Sequence, residues 1–182
     1  LDAGAKGVCV AKAPDGKVIF IPNVVPGDVV DVQTVKKRKA YYEGRATQVH
    51  TFSEHRVEPV CDHFGSCGGC KWQNMAYSQQ LVYKQQEVYN HLKRIGKIEL
   101  PEFDPILGSK EQFFYRNKMK FSFSNARWLT PEEIQSGEEL GKENALGFHI
   151  PKMWDKILDI KKCWLQGDPS NDIRNEIREF AN

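Results

Sequence analysis

No run of apolar residues in this chain approaches the roughly 20 that cross a bilayer, so no membrane-spanning helix is expected. There is no internal repeat and no low-complexity tract, which argues against a repeat array or a biased linker. No G-x-G-x-x-G occurs, so these residues carry no dinucleotide-type glycine loop. Cysteine is scarce and odd in number, at five in 182 residues. No cleavable leader is read at the start, where the chain opens at Leu1 without a Met, so a secreted disulfide framework is not expected. The expected setting is cytoplasmic. Neither sign of charge dominates, with a formal net charge of +2.

That small total hides an asymmetry. Residues 1–60 hold nine Lys/Arg against seven Asp/Glu, residues 61–128 ten against six, and residues 129–182 seven against eleven. The first two thirds lean basic and the tail leans acidic, which favours an anionic partner for the front of the chain.

Three of the five cysteines stand together in Cys61-Asp62-His63-Phe64-Gly65-Ser66-Cys67-Gly68-Gly69-Cys70, at spacing C-x5-C-x2-C. Glycines at 65, 68 and 69 let the backbone fold tightly around whatever the sulfurs hold. Three close thiols flanked by glycine make poor apolar filling, and they point to a metal with a fourth ligand brought in from elsewhere. Cys163, in Ile160-Lys161-Lys162-Cys163-Trp164, is the candidate. Cys9, in Gly-Val-Cys-Val-Ala, reads as a buried core thiol. A zinc ribbon normally shows two C-x2-C knuckles, and here there is one; an iron–sulfur cubane tolerates the unequal spacing, and zinc stays open.

Residues 5–58 read as short strands separated by turns. Gly7–Ala11, Lys17–Ile21, Val29–Val35 and Tyr41–Val49 carry the apolar residues, while Asp15-Gly16 and Pro26-Gly27 mark corners. Five short strands in under 60 residues suggest a small closed barrel of the OB type. Lys36, Lys37, Arg38 and Lys39 form either a solvated hairpin tip or, beside Tyr41 and Tyr42, a nucleic-acid contact.

Beyond the cysteines, Ser78 reads as the N-cap of an amphipathic helix with Leu81, Val88, Leu92 and Ile95 on one face, ending at Gly96. From residue 116, Phe113–Phe123 alternates: Arg116, Lys118, Lys120 and Ser122 share one face, and Met119, Phe121 and Phe123 the other. This predicts an antiparallel strand whose cationic side faces water or lies along RNA backbone. Thr130-Pro131-Glu132-Glu133 predicts a short helix with a capping box, ending near Gly137. The acidic loop 138–143 shows no chemistry. Ala145–Ile150 and Lys156–Ile160 predict a strand pair delivering Cys163, with His149 a surface or core residue rather than a ligand. Asp168-Pro169 opens a last helix with Ile173, Ile177 and Phe180 on one face, which reads as needing a partner in a protein that continues. The overall class is α+β, with a barrel at 1–58 and a mixed α/β domain at 59–182.

These residues resemble a known family, the iron–sulfur-containing RNA uracil-5-methyltransferases. Gly7-Val8, Asp15-Gly16-Lys17, Phe20-Ile21-Pro22 and Pro26-Gly27-Asp28 resemble its TRAM domain, an OB-like RNA-binding barrel. The run from Cys61 to Cys70 resembles its cluster loop, and Cys163 falls where the family places its fourth ligand. Tyr115-Arg116-Asn117-Lys118 and Leu146-Gly147-Phe148 resemble central segments that help form the RNA site. The resemblance implies a 4Fe-4S cluster on Cys61, Cys67, Cys70 and Cys163. It implies a uridine of 23S ribosomal or transfer RNA, flipped out and methylated at C5 from S-adenosylmethionine after a thiolate adds at C6. The methyl-donor site and the catalytic nucleophile have no counterpart in this chain, so the resemblance is to a cluster-bearing, RNA-docking portion, expected to be monomeric. Expected RNA contacts are Lys36, Lys37, Arg38, Lys39, Arg116, Asn117, Lys118 and Lys120, with Tyr41, Tyr42 or Phe114 stacking on a base. Three alternatives stand beside this reading: a stand-alone zinc- or iron–sulfur-dependent RNA-binding module, a small electron carrier, and a radical adenosylmethionine enzyme. The basic hairpin disfavours the second, and the absence of C-x3-C-x2-C disfavours the third.

Overall fold

Alternating apolar residues in the first 51 positions build one sheet. The computed structural model describes residues 2–137, 144–151 and 153–181. The acidic loop 138–143 lies outside the described residues. The chain divides into two units: Leu1–Pro59 with Lys71–Ser109, and Val60–Cys70 with Lys110–Asn182. Residues 71–109 thus group with the first unit.

In the first unit, β1 (Asp2–Gly4), β2 (Val8–Lys12), β3 (Val18–Pro22), β4 (Val29–Lys37) and β5 (Tyr41–Thr51) form a sheet in the order β1-β2-β3-β5-β4. Pairing is antiparallel except between β3 and β5. One face buries Cys9, Ile19, Ile21 and Val24, with Val30, Val32, Tyr42 and Ala46 packed against them. The expected closed barrel is not formed: β1 and β4 are the two edges of the sheet. The short β1 is engaged along its length with β2, and β4 pairs with β5 through three register shifts; as the last strand of the sheet, β4 has no strand partner on its other edge among the described residues. The Asp15-Gly16 turn is present, with Ala13 N–H donating to the Lys17 carbonyl at 2.8 Å.

At the Pro26-Gly27 corner, Gly27 adopts φ 101° and Asp28 N–H donates to the Val25 carbonyl at 2.9 Å. The Asp28 carboxylate accepts from Val25 N–H at 2.7 Å, from Ser53 N–H at 2.9 Å and from the Arg56 guanidinium. Burial alone would raise this carboxyl, but those hydrogen bonds outweigh it and hold it below the usual carboxylate range.

Helix α1 (Tyr77–Asn90) passes into a single π-helical turn, His91–Ile95. Ser78 lies inside its first turn and is not the cap. Ala76 holds that position, and the Gln80 side chain ties the preceding bend through the Trp72 and Met75 carbonyls at 2.9 and 2.8 Å. The predicted apolar face is only partly used. Leu81 and Leu92 are half-buried, whereas Val88 and Ile95 are exposed. The helix is held instead by polar and aromatic contacts to residues 103–109. Gln85 bridges the Asp104 carbonyl and Ile106 N–H, the Tyr77 hydroxyl accepts from Ser109 N–H, and Tyr89 meets Phe103 edge-on at 5.4 Å.

In the second unit, β6 (Ser122–Ser124), β7 (Ala145–His149) and β8 (Ile157–Asp159) form an antiparallel sheet in chain order. Helix α2 (Pro131–Ser136) starts with the expected capping box on Thr130 and Glu133 and ends at Gly137 in the left-handed conformation. The expected strand over 113–123 shrinks to β6. Upstream, Phe114 and Arg116 donate their N–H groups to the Trp164 and Leu165 carbonyls, both at 2.8 Å. Burial still alternates as far as Phe121: Arg116, Lys118 and Lys120 are exposed, and Met119 and Phe121 half-buried. Phe123, expected inside, is exposed.

Helix α3 (Ser170–Ala181) docks through its polar face, not the apolar one. Asn171 and Arg174 are buried, and Ile173, Ile177 and Phe180 are exposed. The inward residues bind backbone carbonyls and N–H groups of 160–163 that apolar side chains would leave unpaired. No helix among the described residues is long and apolar enough to cross a membrane.

Candidate functional site

The loop bearing three cysteines is wound by its own backbone. Phe64 N–H donates to the Cys61 carbonyl at 2.9 Å, and Cys67 N–H to the His63 carbonyl at 3.1 Å. Gly65 and Gly68 take positive φ of 86° and 69°. At Gly68 a Cβ would also collide with the Pro151 ring, so glycine is required there twice over. Gly69 N–H points at the Cys67 sulfur, 3.4 Å away.

Cys163 arrives from 93 residues further on, carried by β8 and the segment after it. Its backbone is bracketed by Asn171: the side-chain oxygen accepts from Cys163 N–H at 2.8 Å, and the side-chain nitrogen donates to the Cys163 carbonyl at 3.2 Å. Arg174 donates to the Ile160 and Lys161 carbonyls at 3.1 and 2.6 Å. His63 accepts from Lys161 N–H at 3.2 Å, joining the loop directly to this segment. Sequence reasoning missed Asn171 and Arg174. The only available signal was two polar residues at i and i+3 on the helix that follows Cys163.

All four sulfurs belong to the second unit. Cys67 and Cys70 pack against the buried group of Leu158, Ile160, Cys163 and Leu165, and the Cys163 sulfur is 3.9 Å from that of Met119. Burial pushes the Cys61 thiol up to about 11, and the nearby Cys67, Cys70 and Cys163 add to the rise. The five cysteines are all free. Four thiols in one neighbourhood are the donor chemistry of a soft or borderline metal. Among the described residues, no group of three or more His, Cys, Asp or Glu side chains stands in an arrangement that could hold a metal ion. The donors are gathered without forming a closed set.

Cys9 is a core thiol, as expected. It donates to the Val24 carbonyl at 3.0 Å, and burial raises it to about 11. His149 is exposed at the end of β7, with Nε2 3.1 Å from the Ser122 hydroxyl.

The cations predicted to meet RNA fall in both units. Lys36, Lys37, Arg38 and Lys39 occupy the exposed β4–β5 tip of the first, where Arg38 faces Glu43 at 3.7 Å. Tyr41 and Tyr42 beside them are already engaged. Tyr41 meets Phe20 edge-on at 5.3 Å, and the Tyr42 hydroxyl donates to Asp15 at 2.7 Å while Lys17 and Lys37 flank its ring. In the second unit Phe114, Arg116, Asn117, Lys118 and Lys120 are all exposed along one segment.

Proteins named as RNA methyltransferases are similar to this chain over nearly its whole length. One from Bacteroides thetaiotaomicron is 54% identical over 97% of the chain, and one from Porphyromonas gingivalis 46% identical over 99%. Both are named uncharacterized RNA methyltransferases, and the chain spans 39% of the length of each. Among solved structures, the chain is similar to the Pyrococcus abyssi tRNA (uracil-54, C5)-methyltransferase in complex with S-adenosyl-L-homocysteine. That likeness has a TM-score of 0.51 and 26% identity, and it covers 97% of this chain and 37% of that one. No family model matches the chain.

Proposed function

We propose that this chain is the RNA-docking, cluster-bearing portion of an S-adenosylmethionine-dependent RNA uracil-C5 methyltransferase of the cytoplasm. The observation that carries the proposal is the gathering of Cys61, Cys67 and Cys70 with Cys163, distant in sequence, into one part of the second unit. The similarity to RNA methyltransferases over nearly the whole chain supports the reaction class. The first unit serves as a TRAM-type RNA-binding domain and the second as the central domain.

The four thiols are gathered without enclosing a metal as they stand; drawn together as thiolates they would hold a 4Fe-4S cluster, which would supply a covalent cross-link. The chain's own residues do the rest. Asn171 and Arg174 fix the backbone that presents Cys163, and His63 fastens the loop to it. The exposed cations at Lys36–Lys39 and at Arg116, Lys118 and Lys120 hold phosphates of a structured RNA. No adenosylmethionine site and no catalytic nucleophile are assigned to the residues of this chain.

An anaerobic absorption spectrum, with iron, sulfide and zinc analysis of the same sample, tests this reading. A broad visible charge-transfer band with about four irons per chain is expected. Stoichiometric zinc and a colourless protein, in a sample never exposed to oxygen, would overturn the cluster and leave a zinc-dependent RNA-binding module.

A further inference from the structure

We propose that Phe114, Trp164 and Lys162 form a stacking subsite for one unpaired base of RNA; this rests on the RNA reading above and gives it a location. Phe114 has φ 57°, in the left-handed region that a bulky aromatic residue rarely enters. Two backbone hydrogen bonds hold it there, from Phe114 N–H to the Trp164 carbonyl and from Arg116 N–H to the Leu165 carbonyl. In this conformation the residue is 44% exposed. Strain retained to present a side chain to solvent is a mark of a binding position.

The surroundings suit a base. The Phe114 ring lies 5.6 Å from the half-buried Trp164 indole at an interplanar angle of 35°, and Phe113 supports that indole from its edge at 6.0 Å. Lys162 Nζ sits 4.5 Å from the Trp164 ring centre and 6.0 Å from that of Phe114, held by Asp168 at 3.3 Å. A flat ring with a cation beside it receives the π-face of any base, and Arg116 and Lys118 on the same segment meet the flanking phosphates. The site selects for an unstacked base and not for its identity, since every base has such a face.

The test measures binding of a fluorescein-labelled oligouridylate of about 12 nucleotides to the 182-residue chain as a function of salt. Phe114→Asn removes the ring at a position where Asn tolerates the backbone. Phe114→Leu keeps the bulk and the backbone demand and removes only the π-face. Both are expected to weaken binding roughly 5- to 150-fold. The slope of affinity against salt stays unchanged, because no phosphate contact is lost. Phe114→Tyr is expected to bind as the wild type does. Wild-type binding with undiminished affinity in both ring-less variants overturns the subsite alone. A wild type that fails to bind the oligomer at low salt overturns the RNA reading, and the subsite with it.

Discussion

Asp28 shows how far one carboxylate reaches. It closes the Pro26-Gly27 corner, holds Ser53 N–H beyond the end of β5 and pairs with Arg56, while its own side chain is 1% exposed. Removing it leaves two N–H groups and a guanidinium without their acceptor. Asp28→Ala is therefore expected to destabilise the first unit by about 3 kcal/mol, read by urea unfolding. The pH dependence follows from the same bonds. The folded carboxyl titrates below its ordinary value. Its contribution is thus complete above the unfolded value, about 3.9, and is lost as pH falls through the depressed folded value. Melting curves from pH 5 downward should show an acid-induced loss in the wild type that is smaller in Asp28→Asn. Gly147 makes the opposite point, a requirement set by empty space. A Cβ there would collide with the Leu158 carbonyl oxygen in β8. Gly147→Ala should push the two strands apart at a cost of about 3 kcal/mol, with unfolding at a lower denaturant midpoint.

At the scale of elements, the segment 116–121 separates pattern from hydrogen bonding. Its alternation correctly placed Lys118 and Lys120 outside and Met119 and Phe121 inside, yet the strand forms only at 122–124, where β7 provides a partner. Period-two patterning reports which side faces the core, and it says nothing about whether a neighbouring strand is there to pair. Helix α3 shows a different limit. The apolar stripe of Ile173, Ile177 and Phe180, read as lacking a partner, is exposed; what the pattern did not show is the docked polar face, where the carbonyls of Ile160 and Lys161 needed donors and Arg174 supplies them. The capping box of α2 was fully legible, because Thr130, Pro131 and Glu133 act within a single turn. The basic segment carries a prediction of its own. Lys118→Glu should weaken RNA binding and lower the salt slope by about 0.7, as one phosphate contact is lost. Titration at several salt concentrations reads both effects, and an unchanged affinity at low salt would refute the contact. Because Lys118 is exposed, the melting temperature should stay where it is.

On the scale of the whole molecule, the proposed cluster would tie residues 61–70 to Cys163 across a loop that leaves the second unit at Lys71 and re-enters it at Lys110. A covalent link over roughly 100 residues restrains the unfolded chain by about 4–5 kcal/mol on the loop-closure account. On the proposed cluster, Cys67→Ser should abolish the visible charge-transfer band and lower the melting temperature together. An unaltered spectrum in that variant would falsify the ligand assignment.

The sequence by itself determined which residues are apolar, where the tight corners fall, the α2 cap, the β7–β8 pair and the thiol-rich loop. Each of these is settled within a few residues of itself. Tertiary structure alone decided that the five-stranded sheet stays open, that α1 is grouped with the first unit, and that α3 docks by Asn171 and Arg174. It also decided that Phe114 is turned outward over Trp164. These outcomes depend on which backbone groups, distant in sequence, are left seeking a partner once the chain has folded, and such vacancies leave no local trace.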